Sequence, residues 1–150
     1  MLILDNSVLS AIVRLNLLEQ LQLLVSEVLV SQEIVLEYSQ TWQQALPDWI
    51  TITQPTPHHL AADPPPSLSK ADLSTIHLAL EYGHPLASDD QNLRNFAKEL
   101  GIKVTGSLGL LKTMYQRKII PNKEAFMNHI ETLRQDVFLS EELYRWALDI

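Results

Sequence analysis

The chain has 150 residues, of which 46% are hydrophobic, and its formal net charge at pH 7 is −7. This length is enough for one domain with its own hydrophobic core. The absence of cysteine excludes disulfides, thiolate nucleophiles and thiolate metal ligands. No apolar run approaches the roughly 18 residues that a membrane-spanning helix needs, and the first residues carry no basic leader. We therefore expect a cytoplasmic protein with no membrane partner.

Short apolar runs alternate with segments of helical periodicity in the first half of the chain. The predicted strands cover residues 2–4, 28–30 and 48–53. The predicted helices cover residues 7–15, 17–25 and 31–44. A proline-rich loop follows at residues 54–67.

The central stretch predicts a helix, a turn, a strand and a second helix. Ser69 and Asp72 have the spacing of a capping box, and Gly83 is placed to end the helix that they begin. Residues 86–88 then form a predicted strand. Beyond it we predict a strand at residues 102–105 and helices at residues 91–100, 106–118, 121–134 and from 140 onward.

Apolar strands that alternate with helices are typical of a parallel sheet covered on both faces. We therefore predict an α/β protein with three α/β/α layers and a sheet of four to five strands. We expect a single domain over residues 1–150, with a helical C-terminal extension from about residue 121. Right-handed crossovers place the carboxyl ends of parallel strands on one edge of the sheet, and this edge is where such folds build sites.

Four acids are candidates for a metal site near this edge. Clustered carboxylates repel one another unless a cation neutralises them. Oxygen ligands suit Mg²⁺ or Mn²⁺, which bind phosphate oxygens and activate water. The candidate acids are Asp5, Glu37, Asp72 and Asp90.

Each acid also has a purely structural interpretation. Asp5 and Asp72 are equally well explained as helix caps. Glu37 is better explained as a solvated helix residue. Of the adjacent pair Asp89 and Asp90, we expect one to cap the following helix and the other to face the site.

Positive charge is concentrated in one part of the chain. Residues 1–69 contain one basic residue against seven acids, whereas residues 94–123 contain seven basic residues against one acid. A local basic face can bind phosphates even when the whole chain is acidic, but a solvated helix surface explains the pattern equally well. The candidate RNA-binding residues are Lys70, Arg94, Lys98, Lys112, Arg117 and Lys118.

Five segments occur in an order and spacing that match a known family. They read LILDNSVLSAI, VSQEIVLEY, LSKADLSTIHLAL, PLASDDQNLRNFAKELGIKVTGSLGLL and DVFLSEELYRWAL. Over nearly its whole length the chain resembles the PIN domain, and within it the bacterial and archaeal PIN proteins of VapC toxin type. The resemblance implies a PIN-like fold that cleaves RNA with Mg²⁺ or Mn²⁺.

The resemblance also implies roles for individual residues. Asp5, Glu37, Asp72 and Asp90 correspond to the catalytic acids, with Asp5, Asp90 and Asp72 as metal ligands. Ser88 stands where the family usually has threonine, and Asn92 stands where many relatives have a further acid. The supporting residues are Asn6, Ser7, Ser88, Asp89 and Asn92. The toxin-type relatives imply a cognate antitoxin protein and a homodimer.

The sequence therefore favours a metal-dependent endoribonuclease that is the toxin of a toxin–antitoxin pair. The main alternative is a PIN-like module that binds RNA or a protein and cleaves nothing, which Asn92 and the acidic total charge favour. A phosphatase or phospho-receiver ranks lower. A haloacid-type phosphatase would require an acid where Ser7 stands, and a receiver would require an acid pair at the end of the first strand.

Overall fold

The computed structural model describes residues 1–149. Its strands are β1 (Leu2–Leu4), β2 (Val28–Ser31), β3 (Ile50–Thr53), β4 (Leu86–Ala87) and β5 (Val104–Thr105). Its helices are α1 (Asn6–Arg14), α2 (Leu18–Leu24), α3 (Gln32–Thr41), α4 (Lys70–Tyr82), α5 (Gln91–Glu99), α6 (Ser107–Gln116), α7 (Lys123–Arg134) and α8 (Glu141–Leu148). None of the helices within residues 1–149 combines the length and apolarity that a membrane crossing requires.

The five strands form one parallel sheet in the order β3-β2-β1-β4-β5. The chain builds the sheet outward from β1 to β3 and then returns to add β4 and β5 on the other side of β1. The strand order therefore reverses between β1 and β4. A reversal of this kind leaves a crevice at the carboxyl ends of the two strands, where open α/β sheets bind ligands.

The sheet is buried on both faces. In β1, Leu2 and Leu4 pack into a core with α1, α2, α6 and α7, while Ile3 packs into a second core with α4 and α5. This alternation follows from the two-residue period of a strand. The predicted three-layer α/β/α fold with a parallel sheet is confirmed.

The predicted start and stop of α4 are confirmed. Ser69 and Asp72 form a reciprocal capping box. Gly83 follows the helix in the left-handed conformation, with φ of +66°. This is a backbone conformation that glycine adopts without the steric cost of a Cβ.

Several predicted boundaries are wrong. β3 begins at Ile50 rather than at residue 48, and α6 ends at Gln116 rather than at residue 118. α3 ends at Thr41 rather than near residue 44, because Trp42 has an extended backbone and stacks on Tyr38 instead, with 6.3 Å between ring centroids. α7 begins at Lys123 rather than at Pro121, because the side chain of Asn122 caps it. The strand predicted from residue 102 is only two residues long.

The helices predicted at the end of the chain are present and pack on the main core. Phe126 of α7 stacks on Tyr115 of α6 with 4.6 Å between ring centroids, and Ala147 of α8 is fully buried. The predicted extension reaches residue 150, which lies outside the described residues.

Candidate active site

The carboxylate of Asp5 lies at the reversal point of the sheet. Asp5 follows β1, is only 2% exposed, and caps α1 by accepting a hydrogen bond of 2.9 Å from the backbone N–H of Val8. The Ser7 hydroxyl lies 2.7 Å from Oδ1 and 2.8 Å from Oδ2, and the Ser88 hydroxyl lies 2.5 Å from Oδ2. Asp5 therefore caps α1 and also lies at the sheet edge where the sequence predicts a site.

Burial raises the pKa of Asp5 to about 6. The hydrogen bonds from Ser88, Val8 and Ser7 oppose this rise, and the negative charge of Asp89 adds to it. A buried carboxylate next to a second acid is stabilised by a nearby cation. A pKa raised in a crevice is also a common property of functional residues.

The segment after β4 places Ser88, Asp89 and Asp90 next to Ser7 and Asp5. Ser7 Oγ accepts from the backbone N–H of Asp89 at 2.9 Å, and Ser88 Oγ accepts from that of Asp90 at 3.0 Å. Asp90 caps α5, since its Oδ1 accepts from the backbone N–H groups of Asn92 and Leu93 at 2.8 and 3.2 Å. The acid whose charge acts on Asp5 is Asp89.

Asp89 is held from the other side by the start of α6. Its Oδ1 accepts from the backbone N–H of Ser107 at 2.8 Å, and its Oδ2 accepts from the Ser107 hydroxyl at 2.5 Å. A Cβ on Gly106 would lie 2.8 Å from Asp89 Oδ1, so only glycine leaves room for this carboxylate. Sequence reasoning missed Ser107, although its position directly after β5 places it at the same sheet edge.

Glu37 contacts the residue next to Asp5, whereas Asp72 is engaged in the capping box of α4. The Asn6 amide donates to Glu37 Oε1 at 3.4 Å, and Asp72 Oδ2 accepts from the backbone N–H of Ser69 at 3.0 Å. Within residues 1–149, no three Asp, Glu or His side chains are grouped so that they could hold a metal ion. The three predicted ligands Asp5, Asp72 and Asp90 are therefore not brought together as one group within residues 1–149, and each of them takes part in a helix cap.

The comparison with known families agrees with this fold. A family model described as a PIN domain matches residues 1–150. The chain belongs to the PIN domain family. PIN domains are nuclease-type domains that typically use divalent metals. No curated protein matches the chain.

At the carboxyl edge of the sheet, the carboxylates of Asp5 and Asp89 fit a divalent ion held by two protein ligands. A carboxylate has about four lone-pair positions, and Asp5 receives hydrogens from three donors, namely Val8 N–H and the Ser7 and Ser88 hydroxyls. One acceptor position of Asp5 therefore remains. Mg²⁺ sites in proteins often use one or two carboxylates together with waters and substrate phosphates, so a third protein ligand is not required.

The candidate RNA-binding residues are spread over the molecule. Lys70 is exposed at the start of α4, on the side of the acids. Arg94 donates to the backbone carbonyl of Ser88 at 2.8 Å, and Lys98 is exposed one turn later on α5. These three residues lie on helices that begin at the carboxyl edge of the sheet.

The other three candidates lie on α6 or directly after it. Lys112 is only 8% exposed, and its ammonium group donates to the backbone carbonyl of Trp146 at 2.6 Å, so it is not presented to a ligand. Arg117 and Lys118 follow the end of α6, roughly 15 Å along the helix axis from its start, where Ser107 contacts Asp89. A single basic face that includes all six candidates is therefore not present.

Proposed function

We propose that the chain is a metal-dependent endoribonuclease that hydrolyses RNA phosphodiester bonds and acts as the toxin of a toxin–antitoxin pair. The observation that carries the proposal is the environment of Asp5, a buried carboxylate at the β1–β4 crevice with a pKa raised to about 6. A second acid, Asp89, is held by two hydrogen bonds from Ser107, and its negative charge raises the pKa of Asp5 further. A cation bound between them relieves both the burial and the repulsion.

We assign direct metal binding to Asp5 and Asp89. Asp90 is the weaker candidate, because its Oδ1 already accepts two hydrogen bonds from the start of α5. Asp90 Oδ2 accepts no hydrogen bond from residues 1–149, so it is free to bind water beside the ion. Glu37 and Asp72 are proposed to complete the site through water.

The reaction adds the hydroxyl group of a water molecule to phosphorus and its hydrogen to the departing nucleoside oxygen. A bound Mg²⁺ or Mn²⁺ supplies positive charge that polarises the water and the phosphate oxygens. The hydroxyls of Ser7 and Ser88 fix the orientation of the Asp5 carboxylate. Glu37, which is held by the Asn6 amide, is proposed to position the attacking water.

An RNA cleavage assay tests this function. Wild type and Asp5→Asn are incubated with structured and unstructured RNAs in Mn²⁺, in Mg²⁺ and in a chelator. We expect cleavage by wild type with metal and none in the other samples. Equal cleavage by the variant would contradict the assigned site.

The second candidate function is an RNA- or protein-binding module without catalysis. It is favoured by the absence of a three-ligand metal group within residues 1–149 and by Asn92 at the position of a further acid. Metal binding without cleavage of any RNA would support this alternative.

The toxin role predicts a partner and an assembly. We expect an antitoxin gene beside this one, and a homodimer in solution. Expression of the wild type should slow growth, Asp5→Asn should not, and co-expression of the neighbouring gene should restore growth. Unimpaired growth with active enzyme would contradict the toxin role but not the nuclease.

A further inference from the structure

A groove of about 560 Å³ opens next to the acids of the site. Asp89 lies at one end, and α5 forms a wall through Arg94 and Lys98. The segment after α7 and helix α8 form the opposite wall through Phe138 and Trp146. β5 and the start of α6 form the floor.

The wall opposite α5 exposes large apolar side chains. Phe138 is 88% exposed, Trp146 48% and Leu143 46%. Single exposed apolar residues are common, but several lining one groove mark a binding surface. This wall is therefore suited to a flat apolar group.

Trp146 is held in place within this wall. The ammonium of Lys112 lies 4.0 Å from the centroid of its ring and also donates to its backbone carbonyl at 2.6 Å. The cation and the ring attract each other electrostatically. The ring is thus a fixed platform that is still half exposed to the groove.

The facing wall carries positive charge. Neither Arg94 nor Lys98 forms an ion pair with an acid of residues 1–149. Asp89 is the one acid among the lining residues of the described chain, and its carboxylate already accepts two hydrogen bonds from Ser107. Exposed cations opposite aromatic rings are the usual composition of a site for single-stranded nucleic acid.

We propose that this groove binds one unpaired RNA base, stacked on Trp146, with the adjoining backbone phosphates on Arg94 and Lys98. Because Asp89 lies at one end of the groove, the phosphodiester next to the stacked base would lie beside Asp89 and Asp5. This part rests on the proposed nuclease function. A base inside a duplex has both faces stacked on its neighbours and cannot use the platform. The groove therefore selects single-stranded RNA.

Binding without metal tests the platform separately from catalysis. The probe is a fluorescein-labelled RNA of ten adenosines. The full chain is added to it in EDTA, and binding is followed by fluorescence anisotropy. A labelled RNA duplex of the same length is the comparison. Trp146→Ala should bind the decamer about 5- to 160-fold more weakly, as expected for one lost stacking contact. Trp146→Phe should retain most of the affinity, which separates stacking from packing of α8.

Tyr82→Ala is the matched control. Tyr82 is similarly exposed, at 41%, but it ends α4 at the opposite edge of the sheet. Its replacement should leave the affinity for the decamer unchanged.

The charged wall has its own paired test. Lys98→Gln should reduce the slope of log affinity against log salt by about 0.7, the value for one phosphate contact on a single strand. Lys103→Gln removes the same charge directly before β5, where Lys103 lines a different pocket together with Leu80 and Gly101, and should leave the slope unchanged.

Equal affinity of wild type, Trp146→Ala and Lys98→Gln for the decamer would overturn the proposal, as would equal binding of duplex and single strand. Asp5-dependent cleavage together with such results would leave the nuclease standing and remove only the groove. If binding depended on Trp146 and Lys98 but no metal gave cleavage, the groove would stand and the nuclease function would be contradicted. A dimer that dissociates on Phe138→Ala, without RNA binding, would assign the groove to a second copy of the chain and overturn the proposal.

Discussion

The hydroxyl of Ser88 donates a hydrogen bond of 2.5 Å to Oδ2 of Asp5, across the boundary between β4 and β1. The same oxygen of Ser88 accepts the backbone N–H of Asp90, which begins the cap of α5. One hydroxyl therefore connects the buried carboxylate to the start of the next helix. Serine at this position supplies the hydroxyl that the contact needs.

Ser88→Ala should destabilise the protein more at neutral pH than in acid. The hydroxyl bonds to a charged carboxylate above the pKa of Asp5, and hydrogen bonds to charged groups contribute about 1.5–3 kcal/mol. We expect a loss of this size in the free energy of unfolding at pH 7.5, and a smaller loss at pH 4.5, measured by chemical denaturation. An equal loss at both pH values would contradict a hydrogen bond from Ser88 to an Asp5 carboxylate that is charged only at the higher pH.

Asp5→Asn should stabilise the metal-free protein at neutral pH. The pKa of Asp5 is about 6 in the folded state against an ordinary value of 3.8, so the folded state binds the proton more tightly than the unfolded state. The contribution of Asp5 to stability is therefore full below pH 4 and is lost as the pH rises from about 4 to about 6. The shift corresponds to a ceiling of about 3 kcal/mol.

The measurement for Asp5→Asn is the free energy of unfolding from pH 4 to pH 8 in EDTA. The difference between variant and wild type should increase through the window from pH 4 to pH 6 and then stay constant. Titrations of the other groups cancel in this difference. A difference that does not change with pH would show that Asp5 is not held in a strongly perturbed environment.

Mn²⁺ should raise the melting temperature of the wild type, and acid-to-amide variants should separate the ligands. At a hundredfold excess over its dissociation constant an ion stabilises the folded state by about 2.7 kcal/mol. Asp5→Asn and Asp89→Asn should abolish this gain, and Asp90→Asn should reduce it only in part. If Asp90→Asn abolished the gain and Asp89→Asn did not, Asp90 rather than Asp89 would be the ligand.

Gly106→Ala should impair RNA cleavage because the new Cβ would lie 2.8 Å from Asp89 Oδ1 and 3.0 Å from Arg94 Nη1. Asp89 must then move, and a displacement of about 1 Å in such a site costs on the order of 100-fold in rate. Gly83→Ala is the control, because its Cβ meets nothing within 4 Å. The left-handed backbone there costs about 1–2 kcal/mol for alanine, so stability should fall while cleavage is retained.

The fold could be predicted from the sequence because its signals are local. The apolar run at residues 2–4 and the capping box of Ser69 and Asp72 each depend on a few neighbouring residues. The position of Asp5 at the strand edge followed from the same signals. The topological reversal beside it then made the site recognisable.

The division of roles between adjacent acids could not be predicted in this way. Whether Asp89 or Asp90 faces Asp5 depends on Ser107, which comes from a different strand and helix. The burial of Lys112 likewise depends on α8, which returns to place the Trp146 carbonyl over it. Both features arise from contacts between segments that are distant in sequence. The charge and the periodicity of the sequence do not predict such contacts.

The most direct test of the central claim is the chemistry of the RNA ends. A labelled single-stranded RNA is incubated with Mn²⁺ and either wild type or Asp5→Asn, and the products are analysed by mass spectrometry. Hydrolysis by water predicts linear phosphate and hydroxyl ends from the wild type, and intact RNA from the variant. Cyclic 2′,3′-phosphate ends, which arise when the RNA's own 2′-hydroxyl attacks, or equal products from both proteins, would contradict a metal-assisted hydrolysis at Asp5.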